Sequence, residues 1–163
     1  MSNGNEGVLI IVSCDADRAL AMEGQAVKMS EIEDRFKIHD LFARYMRSID
    51  DFDEAGLFSC FTDEGVLETP VLGGTFARRE GQRQFLRNAR KAAEGRQMRH
   101  LFTNLEVEIG RNTARARAYL VVNSTQGGSS TIFHTGHYEC RLKKVAGNWL
   151  FEHRKVFIDG KPY

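Results

Sequence analysis

No apolar run approaches the roughly 18 residues a transmembrane helix needs, so no membrane is expected as a partner. Charge imbalance is nearly absent: 23 Lys and Arg stand against 22 Asp and Glu, a formal net charge of +1. No long-range field draws nucleic acid, and none is expected to bind. Cysteine is scarce. Cys14, Cys60 and Cys140 are odd in number and far apart, which argues against a disulfide framework and points to reduced thiols in a cytoplasmic protein. Cys-x-x-Cys, Gly-x-x-x-x-Gly-Lys and Gly-x-Gly-x-x-Gly are all missing, so no metal or other cofactor is expected. Ser124 and Ser129 sit in no nucleophile elbow. No internal repeat or low-complexity linker divides the chain. What is present is ordinary for a soluble globular domain: 163 residues, 42% hydrophobic and 28% charged.

Residues 1–29 stand apart. Val8-Leu9-Ile10-Ile11-Val12 is apolar but short, and no basic residue precedes it, so it makes a poor signal peptide. A lone strand or loosely packed tail, peripheral to function, is expected there, with the working domain over 30–163. Ser30-Glu31-Ile32-Glu33 reads as a capping box. Ile32, Phe36, Leu41, Phe42, Tyr45, Met46 and Ile49 then recur at three and four, predicting an amphipathic helix to about Asp50. Asp53 suits the N-cap of a short second helix through Leu57, Phe58 and Phe61. Residues 62–65 predict a turn, and 66–69 a strand stopped by Pro70.

A third helix is predicted over 80–94, with Phe85, Leu86, Ala89 and Ala93 inward. Eight Lys and Arg residues between 78 and 99 surround it, with Glu80 and Glu94 opposing them. This is either a patch for an anionic partner or a solvated face; no aromatics interleave as a single-strand binder wants. From Met98 the period changes to two, predicting strands over 98–109, 113–125, 130–144 and 148–158. Ala114, Ala116, Ala118, Leu120 and Val122 share one face of the second; Ile132, His134, Gly136, Tyr138, Cys140 and Leu142 share one face of the third. The last strand is apolar on both parities and is expected to be covered on both. Helices followed by an antiparallel meander give an α+β fold whose curling sheet leaves a cavity against the helices.

Asp50, at a helix C-terminus where the dipole disfavours negative charge, needs a compensating partner. Water, the helix start at Asp53 and a strand histidine, His100, are the candidates; Asp51 and Asp53 are rival acids, ranked lower because Asp53 is the better N-cap. A carboxylate beside an imidazole fixes the ring's tautomer and raises its basicity, which suits proton transfer next to a carbonyl. The residues alone also allow a solvated helix-end acid and a hydrogen-bonded strand histidine. His134 and His137 have opposite parity and cannot chelate one metal from a regular strand. His39 and His153 have no evident partner.

The run Ile38-His39-Asp40-Leu41-Phe42-Ala43-Arg44-Tyr45, then Ile49-Asp50, Leu57-Phe58 and residues 61–67, resembles the opening of SnoaL-like proteins of the NTF2-like superfamily. Arg99-His100-Leu101-Phe102-Thr103-Asn104 is similar to their His-x-x-Thr-Asn strand, and residues 134–138 and 147–154 to their last hairpin. The resemblance covers about 31–158. It implies a cone: a strongly bent mixed sheet and three helices around a deep apolar pocket, in a homodimer or homotrimer. Scytalone dehydratase, bile-acid dehydratases, polyketide cyclases and ketosteroid isomerase share this superfamily. Asp50 and His100 fall where its dehydratases keep an Asp–His pair, and Tyr45 matches a pocket tyrosine. Val122-Asn123-Ser124 stands where some members add a third histidine or acid, so that group is absent or replaced, and Asn123 would contact the substrate. The implied enzyme is a cofactor-independent dehydratase, isomerase or cyclase acting on a hydrophobic cyclic small molecule. His100 would be its base, and Tyr45, Tyr138 or His134 would polarise an oxygen. Phe58, Phe61, Met98 and Phe102 would form its walls. The alternatives are a non-catalytic small subunit of a ring-hydroxylating dioxygenase and a small-molecule-binding protein.

Overall fold

A computed structural model describes residues 28–161; apart from its last two residues, the segment 1–29 lies outside the described residues. Helix α1 spans Met29–Asp50. It begins before Ser30, with Lys28 as an N-cap that offers no side-chain bond, so the expected capping box does not form. Glu31 meets the dipole in the first turn and pairs with Arg35 at 2.9 Å. The buried stripe runs through Asp34, Ile38, Leu41, Phe42, Tyr45, Met46 and Ile49. Phe36, expected in it, is 67% exposed, and Ile32 is exposed as well. Phe36 stands two residues from Ile38, which turns it to another side of the helix; Asp34 stands a full turn away and shares the face.

Helix α2, Glu54–Ser59, is capped by Asp53 as expected: Gly56 N–H donates to its Oδ1 at 3.0 Å. It stops short of Phe61, which opens strand β1, Phe61–Thr69. The predicted turn at 62–65 therefore lies inside this strand, as a register break between Phe61 and Val66. Strand β2 is Gly74–Ala77 and helix α3 is Arg78–Ala93. Four long strands follow: β3, Gln97–Ile109; β4, Thr113–Gln126; β5, Ser129–Val145; and β6, Asn148–Ile158. The order is β2-β1-β6-β5-β4-β3. β1 runs parallel to β6 and every other pairing is antiparallel. The result is the expected α+β cone, an open mixed sheet curved onto the helices.

Two bulges decide what faces the interior. On β5, Asn123 pairs with Ile132 but Val122 pairs with His134, so Phe133 is the extra residue. Ile132, expected inward, is consequently 69% exposed. On β6, Leu142 pairs with Phe151 and Arg141 with His153, which leaves Glu152 as the extra residue. Parity flips there: Trp149 and Phe151 point inward before it, and Arg154, Val156 and Ile158 after it. The strand is thus not covered on both faces, and Phe157 stacks on His137 outside, with ring centroids 4.5 Å apart. Gly136 lets β5 approach β6 closely here, because a Cβ would lie 1.9 Å from the Phe157 carbonyl oxygen.

Phe42, Tyr45, Phe61 and Phe151 meet edge-on or tilted at 5.3–5.9 Å, an arrangement that favours aromatic pairs beyond simple burial. Asp34 is tolerated in the buried stripe because Lys144 of β5 reaches it at 2.8 Å.

Candidate functional site

Asp50 is the last residue of α1, and the chain closes tightly behind it. Asp53 N–H donates to the Ser48 carbonyl at 2.8 Å and Phe52 N–H to that of Ile49 at 3.2 Å. Phe52 takes a left-handed conformation, φ 53°, to do so. This aims the Asp50 carboxylate at β3. There the backbone N–H of His100 donates to both carboxylate oxygens, at 3.2 and 3.1 Å, and the ring Nδ1 lies 2.7 Å from Oδ1. The Asp50 side chain is 7% exposed and that of His100 is 19% exposed. With Nδ1 donating to the carboxylate, Nε2 carries the free lone pair.

His100 lines a cavity of about 230 Å³ between the sheet's inner face and the helices. Across the sheet, His100, Val122 and His134 occupy one rung on β3, β4 and β5, and all three line the cavity. Burial lowers the His134 imidazole below its usual range, helped by the charge of Lys161 and by that of His100 whenever its ring is protonated. Tyr45 and Tyr138 complete the polar lining together with Thr69. Burial pushes the Tyr138 phenol up to about 12, and the Tyr45 phenol up as well, against the pull of Arg154. Both stay protonated and can donate. Tyr138 donates weakly to the Met46 thioether at 3.7 Å.

The remaining walls are apolar. Phe85, Ala89 and Ala93 come from α3, and Leu120, Val156 and Ile158 from the sheet. Met98 lines the cavity, as expected. Phe58, Phe61, Phe102 and Asn123, expected at the site, do not. Phe58 lies on the outer flank of α2 beneath the Arg79 and Arg83 guanidiniums. Phe61 is a core residue packed on Tyr45 and Phe151. Phe102 is held by the rings of His39 and Phe42, centroids 5.2 and 5.3 Å away. Asn123 follows Val122 on the strand, so its side chain turns away from the cavity.

Two wall residues carried no sequence signal. Phe52 lines the cavity through its left-handed backbone and Phe133 through the bulge on β5. Arg90 and Arg96 cover their rings at 4.9 and 4.8 Å. Arginines early in α3 are paired mostly by acids that the local sequence does not place there: Arg78 with Glu64, Arg79 with Asp63, and Arg83 with Glu54 as well as Glu80. His39 and His153 also have partners, Asp40 and Glu68. Among the described residues, no three of His, Cys, Asp and Glu converge as a metal site, and no helix is long and apolar enough to cross a membrane.

The profile of the SnoaL-like domain family matches residues 30–155, and the chain belongs to that family. Among solved structures, Rv3472 of Mycobacterium tuberculosis, a protein of unknown function, is 29% identical; the match covers 80% of this chain and 74% of that one, with a TM-score of 0.71. Aln2 from a Streptomyces species is 24% identical over 78% of this chain and 91% of its own, TM-score 0.71. ActVI-ORFA from Streptomyces coelicolor is 21% identical over 78% and 98%, TM-score 0.69. The two Streptomyces structures establish likeness of fold. Comparison with curated proteins gives no match.

Proposed function

We propose that this member of the SnoaL-like family is a cofactor-independent acid–base enzyme of dehydratase, isomerase or cyclase type, acting on a hydrophobic cyclic small molecule. The observation that carries the reading is the 2.7 Å contact of His100 Nδ1 with Asp50, made at the wall of an apolar cavity. His100 Nε2 takes a proton from the carbon next to a substrate carbonyl. The C–H electron pair moves onto the carbonyl oxygen, giving an enolate, and Asp50 stabilises the imidazolium. Tyr45, Tyr138 or His134 donates to that oxygen. His100 then returns the proton to another carbon in isomerisation, or to a departing hydroxyl, releasing water, in dehydration. In cyclisation the enolate carbon attacks a second carbonyl and the new alkoxide takes the proton.

Replacing His100 by Gln keeps size and polarity but removes the base, so the rate falls by roughly the 10²–10⁴ of a lost general base. The direct assay is exchange of the α-hydrogens of aromatic ketones for deuterium in heavy water. Wild type accelerates the exchange and His100→Gln does not; equal rates sink the proposal. A non-catalytic dioxygenase-type subunit or a simple binding protein has no use for an aligned base at a cavity wall, and it would leave exchange at the solvent rate. In this reading the protein works as a homodimer or homotrimer. The exposed Leu101 and Tyr119 on the sheet's outer face suit such an interface.

A further inference from the structure

Arg154 is the most unusual group in the interior. It is fully buried, 0% exposed. Its guanidinium carbon lies 3.7 and 4.0 Å from the ring centroids of Tyr138 and Tyr45, and 4.6 and 4.7 Å from those of Phe151 and Phe42. Nη1 donates to the Cys140 thiol at 3.3 Å, while Nε and Nη2 have no hydrogen-bond partner. Among the described residues no carboxylate pairs with it. Arginine does not shed its proton in a protein, so a full positive charge sits in the core held chiefly by ring faces. Packing alone gives no reason for an ion here, since a hydrophobic side chain of similar volume is usually at least as stable.

The two closest rings belong to the two tyrosines of the cavity wall. The Tyr138 hydroxyl has the Met46 thioether as a weak acceptor. Both phenols feel the guanidinium, which pulls against the effect of their burial. We propose that Arg154 is a positioning residue whose charge, acting through Tyr45 and Tyr138, makes the cavity select a ligand oxygen bearing negative charge: an acidic phenol, enol or 1,3-dicarbonyl compound rather than a neutral alcohol or hydrocarbon. This deepens, and rests on, the acid–base reading of the same cavity. Charge balance supports it. In the empty site Asp50 and Arg154 are one anion and one cation. When a substrate proton moves to His100, Asp50 faces an imidazolium, and Arg154 is left to balance the new oxyanion. The set of Asp50, His100, Arg154 and ligand is then neutral overall, whereas without Arg154 Asp50 and the oxyanion would share one imidazolium and leave the interior net negative.

The test uses the full chain and 4-nitrophenol, whose neutral and ionised forms absorb differently, with 4-nitroanisole as a neutral control of similar shape. Bound to wild type, nitrophenol ionises at lower pH than in free solution, and the phenolate binds at least about tenfold more tightly than the phenol, equivalent to one unit of downward shift. Arg154→Met abolishes that shift while nitroanisole affinity stays the same, and Arg154→Lys retains part of it. Should Arg154→Met not fold, Tyr45→Phe with Tyr138→Phe gives the reading: the double variant loses the shift with Arg154 in place. Bound nitrophenol ionising in wild type no more readily than in solution overturns the proposal, and so does a shift that survives in folded Arg154→Met or in the double tyrosine variant. The readout needs no turnover. Phenolate selection without deuterium exchange therefore removes the base and leaves Arg154, whereas exchange without selection removes Arg154 alone.

Discussion

Asp50 holds His100 at two levels: Oδ1 meets the ring Nδ1 at 2.7 Å, and both oxygens accept the backbone N–H of the same residue at 3.1–3.2 Å. One carboxylate thus ties the end of α1 to β3 and fixes the ring's tautomer. The backbone bonds account for the carboxylate standing at a helix C-terminus, where the dipole opposes it.

The two levels are separable by Asp50→Asn. The amide oxygen still accepts from the backbone N–H, so the helix end stays docked. It carries no charge to stabilise an imidazolium and does not enforce the same tautomer, a change that costs about 10⁴ in kcat at the aspartate of a Ser–His–Asp triad. The expected outcome is a large loss of deuterium exchange with a thermal midpoint shifted by only a few degrees. A variant that melts early and, while folded, exchanges at the wild-type rate would show a purely structural carboxylate.

The Asp34–Lys144 pair predicts a different cycle. Burial pushes the Asp34 carboxyl up, but Lys144 and the neighbouring Trp149 outweigh that and hold it below 3.8. Lys144→Met leaves the Asp34 charge buried alone, which costs about 3 kcal/mol, the low end for a broken buried pair since Lys144 keeps 25% exposure. Adding Asp34→Asn removes the orphaned charge and restores part of the loss. The carboxyl has a depressed folded value, so its contribution is present above 3.8 and disappears as pH falls through that folded value. Urea unfolding of the single and double variants at pH 7 checks this; equal stability of the two would refute it.

Much of this architecture was legible because helical and strand periods survive in the sequence. The inner face of β4, the Asp53 cap and the Asp50–His100 pairing could be reached from spacing and family resemblance. What escaped was wherever a single residue shifts the count. The extra Phe133 turned Ile132 out and placed a phenylalanine at the cavity, and the extra Glu152 carried Arg154 inside. A bulge leaves no compositional mark at these positions, so parity read across it gives the wrong face. Phe58 and Phe61 were misplaced for another reason: α2 ends at Ser59 and hands Phe61 to a strand, which sends the two rings to different environments. Glu80 is a local partner of the α3 arginines, but Glu54, Asp63 and Glu64 are distant in sequence and invisible to any local window.

His134 supplies the pH dependence. Its imidazole lies below the usual 6.5, first because burial disfavours the charged form, then because Lys161, and His100 whenever its ring is protonated, repel it. In the unfolded chain it titrates near 6.5. Between the folded value and 6.5 the unfolded state therefore binds more protons, and stability falls as pH drops through that window. Above 6.5 both states are neutral and the effect vanishes. His134→Asn removes the titrating group, so the fall in thermal midpoint between pH 7 and pH 5.5 should shrink relative to wild type. Lys161→Met, which removes one of the repelling charges, should shrink it less. The same proton would bring charge to an apolar wall, so affinity for a neutral ligand such as nitroanisole should weaken over that interval in wild type and hold steady in His134→Asn. Identical midpoint slopes in wild type and His134→Asn would mean that the imidazole stays as easily protonated in the fold as in the open chain.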